Sequence, residues 1–191
     1  MKYLISVLTV VAIFSFGGCV NKSKPKPTLT KKSIVIENIK APRKLGEYDL
    51  ISQKIYDDKQ KGIALRYANT KKKNSFLDAF IYPKTKLDKD LQTHYKNFID
   101  TLKYMHQKGE FQSFEILKED EVMLDPNTKS KRALFKIRNK MIPYYSVAYL
   151  AEIGDKFFKV RISNQITDSF LHSELKWREV RELFKSIKKS K

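Results

Sequence analysis

The chain has 191 residues, of which 39 are Lys or Arg and 21 are Asp or Glu, and its formal net charge is +18. The basic residues are 32 Lys and only 7 Arg, whereas recognition of phosphates and bases favours the planar guanidinium group of Arg. Specific nucleic-acid binding is therefore not expected, and most of the charge is assigned to a solvated surface.

The first element is a short apolar run that follows a single lysine and extends from Tyr3 to Phe16. It is shorter than a permanent membrane span, and its charged start and small-residue end are typical of a signal peptide. Residues 1–18 are therefore predicted to be a signal peptide. The alternatives are a transmembrane anchor and a buried helix.

The run ends in Phe16-Gly17-Gly18-Cys19, which resembles the lipobox of bacterial lipoproteins. The resemblance implies that Cys19, the only cysteine, carries acyl chains such as palmitate and becomes the first mature residue. Two or more chains anchor a protein stably, at about 0.8 kcal/mol per buried methylene. Val20 stands where an Asp would favour the inner membrane, which implies the periplasmic leaflet of an outer membrane.

Residues 19–32 are predicted to form the lipidated N-terminus and a flexible basic linker. The segment from Val20 to Lys32 contains five Lys, two Pro and no acidic or aromatic residue. Such a composition buries too little apolar surface to order the chain. Residues 33–191 are then long enough for one globular domain with its own core.

Alternating apolar residues predict several strands within this domain. They cover 33–40, a hairpin of 63–68 and 76–82, a strand at 111–119, and a meander of 132–138, 144–153 and 157–163. Apolar residues at intervals of three and four predict a long amphipathic helix over 86–108, which Gly109 ends. Thr167 or Asp168 is expected to cap a final helix.

The last two strands of the meander differ in pattern. Residues 144–153 are apolar or small on both faces, which predicts a central strand covered on both sides. In 157–163, Phe158, Val160 and Ile162 are expected to point inward. Lys159 and Arg161 are expected to point outward or toward a rim.

These elements predict an α+β domain, in which an antiparallel sheet is covered by a long central helix and a C-terminal helix. The segments 56–58 and 62–67, the strand ending Ile81-Tyr82-Pro83, and the strand 157–162 before a final helix resemble the PsbP-like α/β/α sandwich. The resemblance covers about residues 33–190. Because members of that group are mostly non-catalytic accessory proteins that bind other proteins, it implies the same role here.

No pattern in the sequence predicts a catalytic, cofactor or metal site. The glycines beyond Gly17-Gly18 are scattered singly, so no phosphate-binding loop is present. His94 and His106 lie twelve positions apart on one predicted helix, about 120° from each other, and cannot share a metal ion. The acidic cluster of Glu119, Asp120, Glu121 and Asp125 lacks the spacing of a calcium loop and is interpreted as a solvated turn.

The sequence therefore favours a membrane-anchored, non-enzymatic accessory or binding domain of the cell envelope. Its expected partner is an envelope protein, bound through rim residues Tyr144, Tyr145 and Arg161. The alternative is an electrostatic binder of anionic lipid, lipopolysaccharide or another polyanion. A hydrolase is a distant third hypothesis.

Overall fold

The computed structural model describes residues 33–36, 39–56, 62–86, 88–139, 143–165 and 177–189. The predicted signal peptide, the linker with Cys19, and the predicted cap at Thr167 or Asp168 lie outside the described residues. The described part is therefore the predicted globular domain.

The domain is built on a large antiparallel sheet of eight strands, in the order β3-β4-β5-β6-β10-β9-β8-β7. A separate two-stranded sheet pairs β1 with β2. The strands are β1 (Ser33–Ile36), β2 (Ile39–Pro42), β3 (Lys44–Leu45), β4 (Tyr48–Ile55), β5 (Ile63–Asn69), β6 (Ser75–Pro83), β7 (Ser113–Asp125), β8 (Thr128–Arg138), β9 (Pro143–Ile153) and β10 (Lys156–Gln165).

The predicted hairpin and meander are both confirmed. Strand β5 pairs with β6, and β8, β9 and β10 pair in succession. Strand β10 also pairs with β6, which joins the two halves of the sheet. Residues 146–151 of β9 are all buried, so the central strand is covered on both sides as its two apolar faces predict.

The predicted fold class, a sheet covered by a long central helix and a C-terminal helix, is wrong. The two helices are short: α1 (Leu91–Gln107) has 17 residues and α2 (Trp177–Lys188) has 12. A helix of this length measures about 26 Å, whereas eight strands spaced by about 4.8 Å span about 34 Å between the outer strands. Helix α1 makes most of its contacts with β7, β8 and β9.

Helix α1 also begins later than predicted. The Asp90 carboxylate accepts a hydrogen bond of 2.8 Å from the Thr93 backbone N–H, and Asp90 itself has an extended backbone conformation. This N-cap satisfies one of the free amide groups of the first turn and fixes the start of the helix at Leu91. The predicted start at 86 placed the helix one turn too early.

Each face of the large sheet has its own core. On the α2 face, Phe158, Val160 and Ile162 pack with Leu183 and Phe184 of the helix. On the opposite α1 face, a second cluster combines sheet and helix residues. The members of that cluster include Phe80, Tyr82, Phe98, Leu102, Phe135, Ala148, Leu150 and Phe157. Because successive side chains of a strand point to opposite faces, membership of one of these clusters shows which face each strand residue occupies.

Candidate functional site

The predicted rim residues do not lie together on one surface. Tyr144 and Tyr145 are half-buried neighbours in β9, so their side chains point to opposite faces of the sheet. Arg161 is only 6% exposed. Its register partner in β9 is Ala148, several positions from the two tyrosines.

The expectation that Lys159 and Arg161 point outward is wrong. Both lie on the α1 face, where Lys159 is 3% exposed and Arg161 6%. The reason is that β10 lies in the middle of the sheet, where packed side chains from α1 and the neighbouring strands cover this face as well. We call Lys159 and Arg161 the buried cation pair.

Arg161 belongs to a polar network that crosses three strands. Its guanidinium group contacts Ser146 Oγ at 3.2 and 3.4 Å, and Ser146 Oγ lies 2.9 Å from Ser163 Oγ. In the neighbouring strands, Arg66 donates two hydrogen bonds to Asp78, of 2.6 and 3.0 Å. The Asp78 carboxylate, the register partner of Arg161 in β6, is therefore held in a bidentate pair by Arg66.

Lys159 is surrounded by aromatic rings. Its Nζ atom lies 4.9 Å from the ring centroid of Phe80, 5.5 Å from that of Tyr82 and 5.7 Å from that of Phe98. Among the described residues, no carboxylate lies within 4.0 Å of this ammonium group. Burial, and secondarily the charge of Arg161, lowers the pKa of Lys159 to about 7.

Burial also lowers the pKa of Arg161, to about 10, with Arg66 as a further positive neighbour. Asp78 acts in the opposite direction and favours the charged guanidinium. The α1 face thus holds two cations in a poorly solvated site with one buried carboxylate nearby. Such a site attracts negative charge.

His94, at the start of α1, connects the helix to the sheet. Its Nε2 atom lies 2.5 Å from the Tyr82 hydroxyl, and its ring stacks on Phe157 with a centroid distance of 4.1 Å. Nδ1 lies 3.4 Å from the Asp88 carboxylate. Burial lowers the pKa of His94 although Asp88 favours the protonated form. This group holds α1 against β6 and β10.

The acidic cluster predicted as a solvated turn lies within a strand. Glu119, Asp120, Glu121 and Asp125 belong to β7, which forms one edge of the sheet. Asp120 pairs with Arg132 of β8, and Glu121 lies 2.6 Å from Lys131 of the same strand. Ion pairs with basic residues lower the pKa values of Asp120 and Glu121.

The opposite edge of the sheet is formed by β4. The two-residue strand β3 pairs only with Tyr48 and Asp49. Beyond them, residues 51–55 are all exposed, including Ile51 at 57% and Ile55 at 46%. Within the described residues, this part of β4 has a strand neighbour on one side only, which is β5.

The described residues contain neither a metal site nor a membrane-spanning helix. No group of His, Cys, Asp and Glu side chains in this part of the chain is arranged to hold a metal ion. None of the helices in the described ranges combines the length and apolarity needed to cross a membrane.

Comparison with known proteins gives a weak likeness in shape. No family model and no curated protein matches the chain. Among solved structures, the Ran-binding protein Mog1p of Saccharomyces cerevisiae is 11% identical with a TM-score of 0.47, and the match covers 85% of this chain and 95% of Mog1p. Cyanobacterial PsbP (CyanoP) of Synechocystis sp. PCC 6803 is 10% identical with a TM-score of 0.45, over 89% and 98% of the two chains. The predicted PsbP-like resemblance is found in this weak form.

Proposed function

We propose that this chain is a lipid-anchored protein of the bacterial cell envelope whose folded domain binds a protein partner and performs no catalysis. The partner contributes an extended, acidic segment that adds a strand beside β4. The observation that carries this proposal is the exposed edge of β4 with its two exposed isoleucines. Unpaired backbone groups at a sheet edge are a template for a further strand.

The opposite edge supports this choice by contrast. Strand β7 has two register shifts, near Leu117 and Leu124, and five acidic side chains. Bulges and charges of this kind prevent a strand from accepting a partner. Strand β4 has one register shift, at Ile51, and then pairs regularly with β5 up to Ile55.

The charges around β4 favour an acidic segment. Lys44, Lys54, Lys72 and Lys73 are all exposed on β3, β4 and the β5–β6 turn. Asp49 is the only acidic residue of β3 and β4. Acidic side chains on the added strand would lower the repulsion among these lysines and speed the encounter at low salt.

The contacts of the titratable groups on the α1 face support a binding role over catalysis. His94 contacts Tyr82 and Asp88, and the Tyr95 hydroxyl donates a hydrogen bond of 2.6 Å to Glu119. The contacts with Tyr82 and Glu119 join α1 to the sheet, and the contact with Asp88 joins α1 to the segment before it. The hydrogen-bonding groups of His94 and Tyr95 therefore hold the helix in place.

Anchoring is tested at Cys19. We expect mass spectrometry of the mature wild-type chain to find an N-terminal Cys19 with a diacylglyceryl group, and the protein to sediment with membranes. The Cys19→Ser variant should retain residues 1–18 and lack lipid, because the hydroxyl does not replace the thiolate nucleophile. A mature wild-type chain without lipid at Cys19 contradicts the anchor.

Strand addition is tested with a photo-crosslinking amino acid at Ile55 of the full-length chain in cells, and with the same substitution at Met123 of β7 as the matched control. We expect an adduct at position 55 that peptide mapping assigns to an acidic segment of an envelope protein. Ile51→Lys should abolish it. Hydrogen exchange of the complex should show protection of backbone amides in β4.

Three results would contradict strand addition at β4. An adduct between two copies of this chain would show that β4 pairs with a second copy and not with an envelope partner. Equal crosslinking at Ile55 and Met123 would indicate random collision. A partner that protects other amides but leaves those of β4 unprotected would bind elsewhere.

A second candidate function is electrostatic binding of anionic lipid or lipopolysaccharide. The observation that favours it is the run of exposed lysines at 71–73, in the turn between β5 and β6. Only Lys71 of the three has an ion pair among the described residues, at 2.8 Å from Glu47. Flotation with vesicles of anionic lipid should then decrease steeply as salt is raised, and absence of binding at low salt rejects this function.

A further inference from the structure

His94 is the residue through which the start of α1 reaches the middle of the sheet. Most contacts of the helix are with β7, β8 and β9, whereas the His94 side chain contacts Tyr82 of β6 and Phe157 of β10. The ring of His94 lies 5.4 Å from that of Tyr82 and 4.1 Å from that of Phe157, measured between centroids. His94 is only 8% exposed, so a titratable group carries a buried contact between helix and sheet.

The neighbours of the two ring nitrogens assign the proton of the neutral ring. Nδ1 faces the Asp88 carboxylate at 3.4 Å, and an ionised carboxylate can only accept hydrogen bonds. The neutral ring therefore carries its proton on Nδ1. Nε2 is then an acceptor, and the Tyr82 hydroxyl, 2.5 Å away, donates to it. This hydrogen bond exists in that form only while His94 is neutral.

A second proton on the ring disrupts this arrangement. A charged imidazole has two donors and no acceptor, so the proton of the buried Tyr82 hydroxyl loses its acceptor at Nε2. Asp88 compensates the new charge only in part, because 3.4 Å is longer than the about 2.7–2.9 Å of a charge-assisted hydrogen bond. The Asp88 carboxylate also accepts a hydrogen bond of 2.5 Å from the Asn97 side chain.

The charged groups around the ring do not remove this cost. Those that act on His94 are Asp88 of the segment before α1, Glu152 of β9 and Lys159 of β10, and β6 contributes the neutral Tyr82. Glu152 favours a charged ring, but its carboxylate is paired with Lys84 at 3.0 Å. Lys159 opposes it, and its Nζ lies 5.5 Å from the Tyr82 ring centroid. Burial, with Lys159 as a further cause, lowers the pKa of His94.

We propose that His94 is a pH-dependent latch, whose neutral ring holds the start of α1 against β6 and β10 and whose second proton releases it. In the released form the ring lies in water and binds a proton more readily than in the closed form, so acid favours release. Release begins as the pH falls below the ordinary His value of 6.5. It uncovers Tyr82 and Phe157, and the later turns of α1 stay packed on β7 and β8. This latch requires neither the lipid anchor nor strand addition at β4.

The test is amide hydrogen exchange of the full chain in a nonionic detergent at pH 7.0 and 5.0, corrected for the intrinsic effect of pH on exchange. From pH 7.0 to 5.0, we expect protection of residues 95–98 in the wild type to fall at least fivefold more than that of residues 147–150 in β9. His94→Gln keeps an acceptor for Tyr82 but cannot gain the proton, so its two regions should change alike within twofold. His106→Gln, at the exposed histidine of the same helix, should behave like wild type.

A second measurement follows the histidine rings of the wild type directly, by NMR titration. His94 should titrate at a lower pH than His106, and Lys159→Met should raise the titration midpoint of His94, because it removes a facing cation. The latch is overturned if residues 95–98 of the wild type lose no more protection in acid than β9 does. It is also overturned if His94→Gln loses as much as wild type, or if His94 titrates at or above the midpoint of His106.

Discussion

The two faces of the sheet bury different kinds of residue. On the α2 face, the buried polar residues are neutral, namely Asn69, Ser75 and Ser130. Every buried Asp, His, Lys or Arg of the described chain lies on the α1 face or in α1: Asp78, His94, Lys159 and Arg161. Each face has an apolar cluster that includes residues of one helix, so burial alone does not explain the difference.

The difference affects how much each face contributes to stability. Neutral hydroxyl and amide groups are satisfied with hydrogen bonds at modest cost, as in the 3.0 Å contact between Tyr48 and Ser75 on the α2 face. Buried charges lower stability unless their partners are excellent. Both faces therefore contribute apolar free energy of folding, but on the α1 face part of this gain is offset by the cost of holding charges away from water.

The largest expected effect compares adjacent phenylalanines on the two faces. Phe158→Ala should lower the free energy of unfolding by about 3–5 kcal/mol, because it leaves a dry cavity opposite Phe184, whose ring lies 5.4 Å away. Phe157→Ala should cost less, about 3 kcal/mol at the lower end of that range, since the side chains beside it include the polar His94 and the partly exposed Lys84. Chemical denaturation of both variants measures the difference. Equal losses of unfolding free energy in the two variants would contradict a difference between the two cores.

The sequence predicts this two-faced core only in part. The alternation of Phe158, Val160 and Ile162 with Lys159 and Arg161 correctly separates the faces of β10. It does not show that both faces are covered, because coverage depends on β10 lying between β6 and β9. Long-range pairing of this kind has no signal in the pattern of a single strand.

The open edge at β4 was missed for a related reason. Residues 48–56 alternate irregularly because of the register shift at Ile51, so their pattern fits a short strand or a helical turn and they are not among the strands predicted above. The exposed Ile51 and Ile55 become visible only once β3 is known to end after two residues. Helix α1, by contrast, was predicted from its spacing, although the Asp90 cap was not recognised.

The next effect concerns the charge at Lys159. Lys159→Met should raise the stability below pH 7 by about 1–4 kcal/mol, because a buried charge is replaced by a side chain of similar shape. The pKa of Lys159 is lowered from 10.5 to about 7 on folding. Between those pH values the unfolded chain holds a proton that the folded chain has lost, so wild-type stability rises with pH. The variant should lack this slope.

Denaturation of wild type and Lys159→Met at several pH values from 6 to 10 checks this expectation. The other titratable groups near Lys159, which are Tyr82, His94 and Arg161, are present in both chains, and their contributions largely cancel in the difference. A difference in stability that does not vary with pH would show that Lys159 keeps its proton in the folded chain. In that case both Lys159 and Arg161 are charged in the folded chain across this pH range.

The smallest effect compares two similar ion pairs on opposite faces. Arg66 and Asp78 on the α1 face, and Arg132 and Asp120 on the α2 face, each form two hydrogen bonds. Asp78→Asn should cost about 2 kcal/mol and Asp120→Asn about 1 kcal/mol, because the Asp120 side chain is more exposed to water, at 28% against 10%.

Denaturation at pH 7 measures the loss of unfolding free energy in both variants. A second effect also makes the substitution at Asp78 the more costly one. Its negative charge favours the charged form of Arg161, so its removal leaves Arg66 and Arg161 as two cations in one poorly solvated row. Equal costs for Asp78→Asn and Asp120→Asn would show that the deeper burial of Asp78 does not raise the cost of removing its charge.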